Sequence, residues 1–307
     1  MRELQDKYIR FDWAIKRLLR QKANFDVLEG FLTVFLGEKI TIDEILESES
    51  NQLSADDKFN RVDIKAKNSK GEIVIIEIQN TRELYYLERI LYGVAKTITE
   101  HISLGEKYHK VKKVYSISVL YFDIGKGSDF LYHGQNQFIG VHTGDQLQVN
   151  VKEEGVIRTR VPAEIFPEYI LIRVNEFNKV AVNPIEEWMK YLKDGVIHPE
   201  TKAPGLSEAR EKLKYYSMTP QEQHAYDEHL SAVMIQNDVL DTAKLEGRAE
   251  GRAEGLKEGR AEGLAEGLKE GIAEEKQRNA RNLKALGVAA EIIMQATGLS
   301  LEEIENL

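Results

Sequence analysis

One run of nineteen residues, Arg61-Val-Asp-Ile-Lys-Ala-Lys-Asn-Ser-Lys-Gly-Glu-Ile-Val-Ile-Ile-Glu-Ile-Gln79, constrains this chain more than any other part of it. Val62, Ile64 and Ala66 alternate with polar residues, Val74, Ile76 and Ile78 continue the alternation, and Asn68-Ser-Lys-Gly71 between them is turn-forming. The pattern predicts a β-hairpin. For the apolar side chains to share one face, paired residues must carry numbers with an even sum, and a three- or five-residue loop sets that sum at 140. Asp63 then falls opposite Glu77, and Gln79, two residues on, points to the same side. Cross-strand Cβ atoms lie about 4.5–5.5 Å apart, where like charges repel. The pair therefore needs a cation, a proton or screening water. A divalent metal is one reading, because Mg²⁺ takes one or two carboxylates together with water and substrate phosphate. The other is a pair of acids that keep strand ends soluble.

Helical spacing of Phe11, Ala14, Ile15, Leu18 and Leu19, then of Phe25, Leu28, Leu32, Phe35 and Leu36, predicts helices across residues 4–37. Asp12 and Glu29 are the acids of this region, and both are expected in exposed, solvating places. Ile40 to Leu53 reads as a helix or a strand, and Ser54-Ala-Asp-Asp57 as the turn into the hairpin. Thr81 to about Ser103 reads as a helix with Leu84, Leu87, Leu91, Val94, Ile98 and Ile102 as its buried stripe. It presents Arg82, Tyr85, Tyr86 and Arg89 near the acids, where an arginine either suits a phosphate or pairs with an acid such as Glu88. Val114 to Phe122 and Tyr169 to Val174 read as strands, and Phe130 to Val141 with Leu147 to Val151 as a β-rich edge. This order of elements predicts an α/β fold with a mixed sheet between helices.

Several blocks carry a resemblance: Arg10-Phe-Asp-Trp-Ala-Ile-Lys-Arg-Leu-Leu19, Leu28-Glu-Gly-Phe-Leu32, Lys58-Phe-Asn-Arg-Val-Asp63, Ile76-Glu-Ile-Gln79, Arg89-Ile-Leu-Tyr-Gly93, Lys113-Val-Tyr-Ser-Ile117 and Tyr132-His-Gly134. Over roughly the first 150 residues the chain resembles the PD-(D/E)xK nuclease family transposases, Rpn-like recombination-promoting nucleases within the restriction-endonuclease-like superfamily. The resemblance implies a restriction-endonuclease-like mixed sheet flanked by helices, in a nuclease-like domain over residues 1–180. It places the first metal-binding acid on Asp63 and the second on Glu77, with the backbone carbonyl of Ile78 as a further ligand to Mg²⁺ or Mn²⁺. The lysine that the superfamily carries two residues after the second acid is Gln79 here, a replacement that also marks this branch. A lysine supplies a cation to the phosphate or helps deprotonate water, whereas a glutamine amide orients by hydrogen bonds. Lys16 on the first helix is the leading candidate to supply the missing cation, with Lys65 on the hairpin as another. The superfamily also draws carboxylates from its first helices, the alternative role for Asp12 and Glu29. The activity implied is that of a metal-dependent endonuclease hydrolysing phosphodiester bonds in DNA, linked to recombination or mobile elements, with Asp63, Glu77, Gln79 and Lys16 as its catalytic residues. The other reading is a nuclease fold without catalysis that serves as an oligomeric DNA- or protein-binding module. Nothing matches the spaced triple-acid pattern of other transposases, so strand transfer is not implied.

Residues 181–245 read as a helical accessory region, with Pro199 and Pro204 marking a linker between its halves. From Glu246-Gly247 to Glu270-Gly271 a Glu-Gly pair recurs every four residues, seven times in all. On a helix the glycines form one ridge that drifts by about 40° per repeat. Each glycine costs an isolated helix roughly 0.8–1 kcal/mol against alanine, so the ridge fits best where another backbone packs on it. Residues 246–307 thus form either a homo-oligomerising helical tail or a charged, partly helical tether. Leu283 to Leu307 reads as short helices, with Gly287 as a stop and Ser300-Leu-Glu-Glu303 as a capping box. The last helix, Leu301 to Leu307, is acidic and suits protein docking or oligomer capping better than DNA reading.

Composition closes off other classes. The chain has 307 residues, 42% of them hydrophobic, enough for a sizeable core. It has no cysteine, which excludes a disulfide framework, thiolate zinc sites and a cysteine nucleophile. The opening Met-Arg-Glu-Leu-Gln-Asp-Lys is too charged for a signal peptide, and no apolar run approaches the roughly 18–20 residues of a membrane span. A soluble, cytoplasmic protein with no membrane partner is expected. Residues 1–130 hold 21 basic and 21 acidic side chains, so the net charge of −9 lies in residues 131–307, with 21 and 30. The balanced half contains Lys107-Tyr-His-Lys-Val-Lys-Lys113, a run that either contacts phosphates or solvates a loop.

Overall fold

The hairpin forms in the expected register. A computed structural model of the protein describes residues 8–47, 62–103, 105–153 and 155–307. The expected turn Ser54–Asp57, the end of the segment Ile40–Leu53, the first residues of Lys58–Asp63 and the start of the first helical region lie outside the described residues. Strand β2 (Ile64–Asn68) pairs antiparallel with β3 (Ile73–Gln79), Ile64 opposite Ile76 and Lys67 opposite Ile73. The loop is Ser69-Lys70-Gly71. Gly71 N–H donates to the Asn68 carbonyl at 2.8 Å, Asn68 N–H donates to that of Glu72 at 3.0 Å, and Gly71 has φ +75°. A left-handed residue at this point closes a three-residue hairpin loop without a Cβ clash.

Strand β1 (Ile42–Leu46), the part of the ambiguous Ile40–Leu53 segment that is described, adds antiparallel to β2. On the other side β3, β4 (Val114–Leu120) and β8 (Glu168–Arg173) run parallel, and β5 (Leu131–Gly134) closes the far edge antiparallel to β8. The resulting six-stranded order is β1-β2-β3-β4-β8-β5, a mixed sheet consistent with a restriction-endonuclease-like fold. A separate hairpin is made by β6 (Val149–Glu153) and β7 (Val156–Arg160). Strands β3 and β4 are buried along nearly their whole length, as central parallel strands covered on both faces must be.

One face of the sheet packs against α1 (Phe11–Arg17), α2 (Phe25–Leu36), α4 (Pro184–Asp194) and α5 (Leu206–Lys212). Val74, Ile76 and Ile78 of β3 meet Phe11, Ile15, Phe31, Trp188 and Leu206 in that core. Its centre is aromatic, with Phe11 and Phe31 centroids 4.9 Å apart and Trp188 edge-on to Phe31 at 5.2 Å. Helix α2 approaches the start of α5 closely: a Cβ added to Gly30 falls 2.2 Å from the Gly205 nitrogen, and Gly205 itself has φ +81°. The other face is covered by α3 (Tyr86–Glu100), which connects β3 to β4.

Two sequence expectations fail on this second face. The buried stripe of α3 is Tyr86, Ile90, Gly93, Val94 and Thr97, whereas Leu84, Leu87 and Leu91 are exposed. The small Gly93 and short Thr97 form a flat side that can sit against the sheet, and Tyr86 and Ile90 cover Leu120 and Phe122. Val62, expected alongside Ile64 and Ala66, packs instead with Ile73 and Ile75. The chain bends at Asp63, and the period-two alternation stops there.

The chain divides into compact units Met1–Ser231 and Ala232–Leu307, and α6 (Pro220–Ala285) runs through the division. In the second unit α7 (Ala290–Thr297) and α8 (Leu301–Glu305) enclose a small cluster of Ala280, Ile293 and Ile304. The expected capping box is present: Glu303 N–H donates to Ser300 Oγ at 3.3 Å, and Ser300 N–H donates to the Glu303 carboxylate at 2.7 Å. All seven repeat glycines lie on α6, and a Cβ added to any of them meets nothing within 4 Å.

Because Gly30 and Gly205 leave no room for a methyl group, Gly30→Ala is expected to cost about 2–3 kcal/mol by overpacking. Urea unfolding measures it; an unchanged midpoint would mean that α2 and α5 part freely.

Candidate active site

The acids meet at the open end of the hairpin. Asp63 lies just ahead of β2, and its Oδ2 accepts the Ile78 N–H at 2.7 Å. That bond accounts for the bend, since the side chain takes the place of a strand partner along β3. Glu77 is buried on β3, with Ser118 of β4 beside it in the parallel register. Glu77 and Asp63 are close enough to repel.

Each acid has its own cation. Lys16 on α1 sets Nζ 3.4 Å from Asp63 Oδ1, with 49% of its side chain exposed. Arg89 on α3 approaches Glu77 Oε2 at 3.7 Å and also pairs with Glu83. Burial pushes the Glu77 carboxyl above its ordinary range, Arg89 opposes that, and Asp63 adds to the push. The Tyr86 hydroxyl lies 3.5 Å from Glu77 Oε2, and burial holds its titration far above the usual range, so it remains a donor. The Gln79 side chain lies on the same side of β3 as Glu77 and favours its ionised form. Its carbonyl accepts from Tyr121 N–H at 2.9 Å on the β4 side, so the neighbouring carbonyl of Ile78 leaves on the Asp63 side.

The structure thus brings together Lys16, Asp63, Glu77, Ile78 and Gln79. Lys65 is elsewhere: it is buried against α3 and pairs with Glu100 at 2.9 Å, so it is not held to the acids. Of the basic run, Lys113 is engaged with Glu168 at 2.6 Å. No group of three or more His, Asp or Glu suited to a metal occurs among the described residues. Two carboxylates and a carbonyl still form an all-oxygen donor set, which fits a hard cation that keeps water and phosphate in its remaining positions.

Comparison with known proteins gives a family for this part of the chain. Residues 9–152 match the family model of the PD-(D/E)XK nuclease family transposases. This part of the chain belongs to that family. No curated protein and no solved structure matches the chain. The nuclease-family domain therefore includes α1, the hairpin, α3 and β4.

Behind the acids of this nuclease-family domain lies a second polar cluster that sequence reasoning missed. Asp12, expected exposed, is buried; its Oδ1 accepts from Arg10 Nε and the Trp13 N–H, each at 3.0 Å. Its Oδ2 accepts from a second Arg10 nitrogen at 3.1 Å, from His229 Nε2 at 3.1 Å and from Asn80 Nδ2 at 3.2 Å. Asp12 and Lys16 are one helical turn apart on α1. One holds the residue that follows Gln79 and the other reaches Asp63. Glu29 is likewise not a solvating acid, because it accepts the Ile42 N–H at 2.7 Å and ties β1 to α2. Arg10 was visible in the sequence as part of the Arg10–Leu19 block. His229 was not, since it lies 217 residues from its partner.

Burial pushes the Asp12 carboxyl up, but hydrogen bonds from His229 and Arg10 outweigh it and hold the group well below the usual carboxylate range. The hydroxyls of Tyr121 and Tyr226 share these surroundings. A carboxyl that titrates lower folded than unfolded stabilises the fold above its unfolded pKa of about 3.9, and the contribution is lost as pH falls below that. Asp12→Asn is expected to lose about 3 kcal/mol at pH 7 and progressively less below about pH 4. Thermal melts across that range test it; a loss independent of pH would mean that the charge is not what Arg10 and His229 recognise.

Proposed function

We propose that the protein is a divalent-metal-dependent DNA endonuclease. The observation that carries this reading is Lys16 Nζ at 3.4 Å from Asp63, which supplies a cation beside an acid pair whose usual lysine is Gln79. Asp63, Glu77 and the Ile78 carbonyl hold Mg²⁺ or Mn²⁺, which when bound lowers the pKa of water and stabilises charge on a phosphate. Gln79 orients the attacking water through its amide. Arg89 opposes the effect of burial on Glu77 and favours its ionised form. Lys16, half exposed and on a separate element from the acids, would supply the positive charge that meets the scissile phosphate. A link to recombination or mobile elements is supported only by the family of residues 9–152.

Purified protein is expected to nick supercoiled plasmid with Mg²⁺ or Mn²⁺ and not with a chelator. Asp63→Ala should abolish nicking, and Lys16→Met should slow it about 100-fold. No cleavage by either the unaltered chain or Asp63→Ala would favour a binding module on the same fold.

The C-terminal region also associates with copies of itself in this reading. Seven exposed glycines cost α6 about 6–7 kcal/mol against alanine, and Leu256, Leu264 and Leu268 project into solvent along the same helix. Sedimentation of the full chain is expected to depend on concentration, and a chain ending after Leu245 to lose part of that dependence. Identical sedimentation of the two would leave the tail a tether.

A further inference from the structure

Lys16 is the first of a strip of cations that leads away from the acid pair. From Lys16 to Lys22 the sequence is Lys-Arg-Leu-Leu-Arg-Gln-Lys, with four positive side chains and no acid. Arg20 is engaged with another group, which leaves Lys16, Arg17 and Lys22 to face solvent. Leu19 is fully buried and pins the segment to the core. Two turns set its shape: Gln21 N–H donates to the Leu18 carbonyl at 3.1 Å, Asn24 N–H to that of Gln21 at 2.8 Å, and Asn24 Nδ2 returns to the Leu18 carbonyl at 2.9 Å. The Arg17 guanidinium lies over the Trp13 ring, 5.3 Å from its centroid. Stacking occupies the face of a guanidinium and leaves the N–H donors at its edge for a phosphate. The acids on either side are already answered, Asp12 by Arg10 and His229, and Asp26 by Lys212 at 2.6 Å.

We propose that Arg17 and Lys22 bind phosphates of the DNA strand that passes the acid pair, an inference that rests on DNA being the substrate of that site. Six residues of coiled chain span roughly 9 Å, about three nucleotides at 3.4 Å each along a duplex. The strip therefore continues from the scissile phosphate at Lys16 along the same strand. Contacts of this kind hold the backbone and carry no sequence information. Two other paths for the strand fit less well. The run Lys107–Lys113 enters β4 at Val114, beside Ile73, whereas the acids stand near Gln79 and Leu120, about 20 Å along the strands. Around α3 and the loop after β4, exposed Glu88, Asp123 and Asp129 stand among Arg82 and Lys126, so neither sign prevails. Segments that lie on a membrane add apolar side chains to their cations. Among the described residues, no large apolar side chain ahead of Leu84 is exposed.

Binding is measured on the full-length Asp63→Ala protein with a chelator present, by fluorescence anisotropy of short labelled duplexes over a range of salt. Arg17→Gln and Lys22→Gln in that background are each expected to weaken binding about 5–10-fold at about 0.1 M salt. Each should also lower the slope of log Kd against log salt by about one, alike for duplexes of unrelated sequence. Lys110→Gln, at the other end of the sheet, should change neither quantity. Unaltered affinity in Arg17→Gln or Lys22→Gln, an equal loss in Lys110→Gln, or no binding at all overturns the proposal. So does retention by anionic phospholipid vesicles that exceeds binding to DNA and falls in the same two variants. Plasmid nicking is read separately. Nicking by a chain whose binding ignores Arg17 and Lys22 keeps the nuclease and removes the strip, whereas binding that depends on them without nicking does the reverse.

Discussion

Asp63 and Glu77 face one another at the open end of a hairpin whose register a left-handed glycine fixes, and their like charges have to be answered from outside that hairpin. The answers come from opposite layers of the fold. Lys16 reaches Asp63 from α1, and Arg89 reaches Glu77 from α3. Neither cation is held on a loop: both project from helices anchored by buried side chains, Phe11 and Ile15 on α1, Tyr86 and Ile90 on α3. Helix placement on each face of the sheet is thereby tied to the electrostatics of one pair.

The layers beneath the pair are built to hold it still. Asp63 is fixed by a backbone donor on β3, so the distance between the two acids depends on strand pairing more than on side-chain rotation. Asp12 repeats the logic one helical turn away, binding Arg10, Asn80 and His229 at once. On that same face the core reaches well past the family match, because Trp188, Tyr191, Leu206 and Leu213 pack with residues of α1 and α2.

What could be read from the sequence follows the range of the interactions. The sum of 140 between paired positions needed only alternation and loop length, both local, and the structure has it. The layered sheet followed from the order of the elements. The face of α3 was misread because leucine at positions 84, 87 and 91 outweighs Gly93 and Thr97 on any scale of hydrophobicity, yet close packing on a sheet favours small residues. Asp12 was misread for a different reason. An aspartate on an amphipathic helix is ordinarily solvated, and only Asn80 and His229 from distant segments, joined to the neighbouring Arg10, make its burial favourable. Lys65 is a third case, since its proximity to the acids along the strand was overridden by Glu100 on the helix above.

The bond between Asp12 and His229 spans 217 residues, most of the length of the folded unit that contains it. On a ribosome that extends the chain at roughly 5–20 residues per second, Asp12 emerges some 10–40 s before its histidine exists. During that interval the hairpin, α3 and β4 can already pair, while the carboxylate behind them still lacks one of its partners. The nascent chain therefore carries its acid pair well before the cluster behind it is complete, and that completion waits for the first turns of α6.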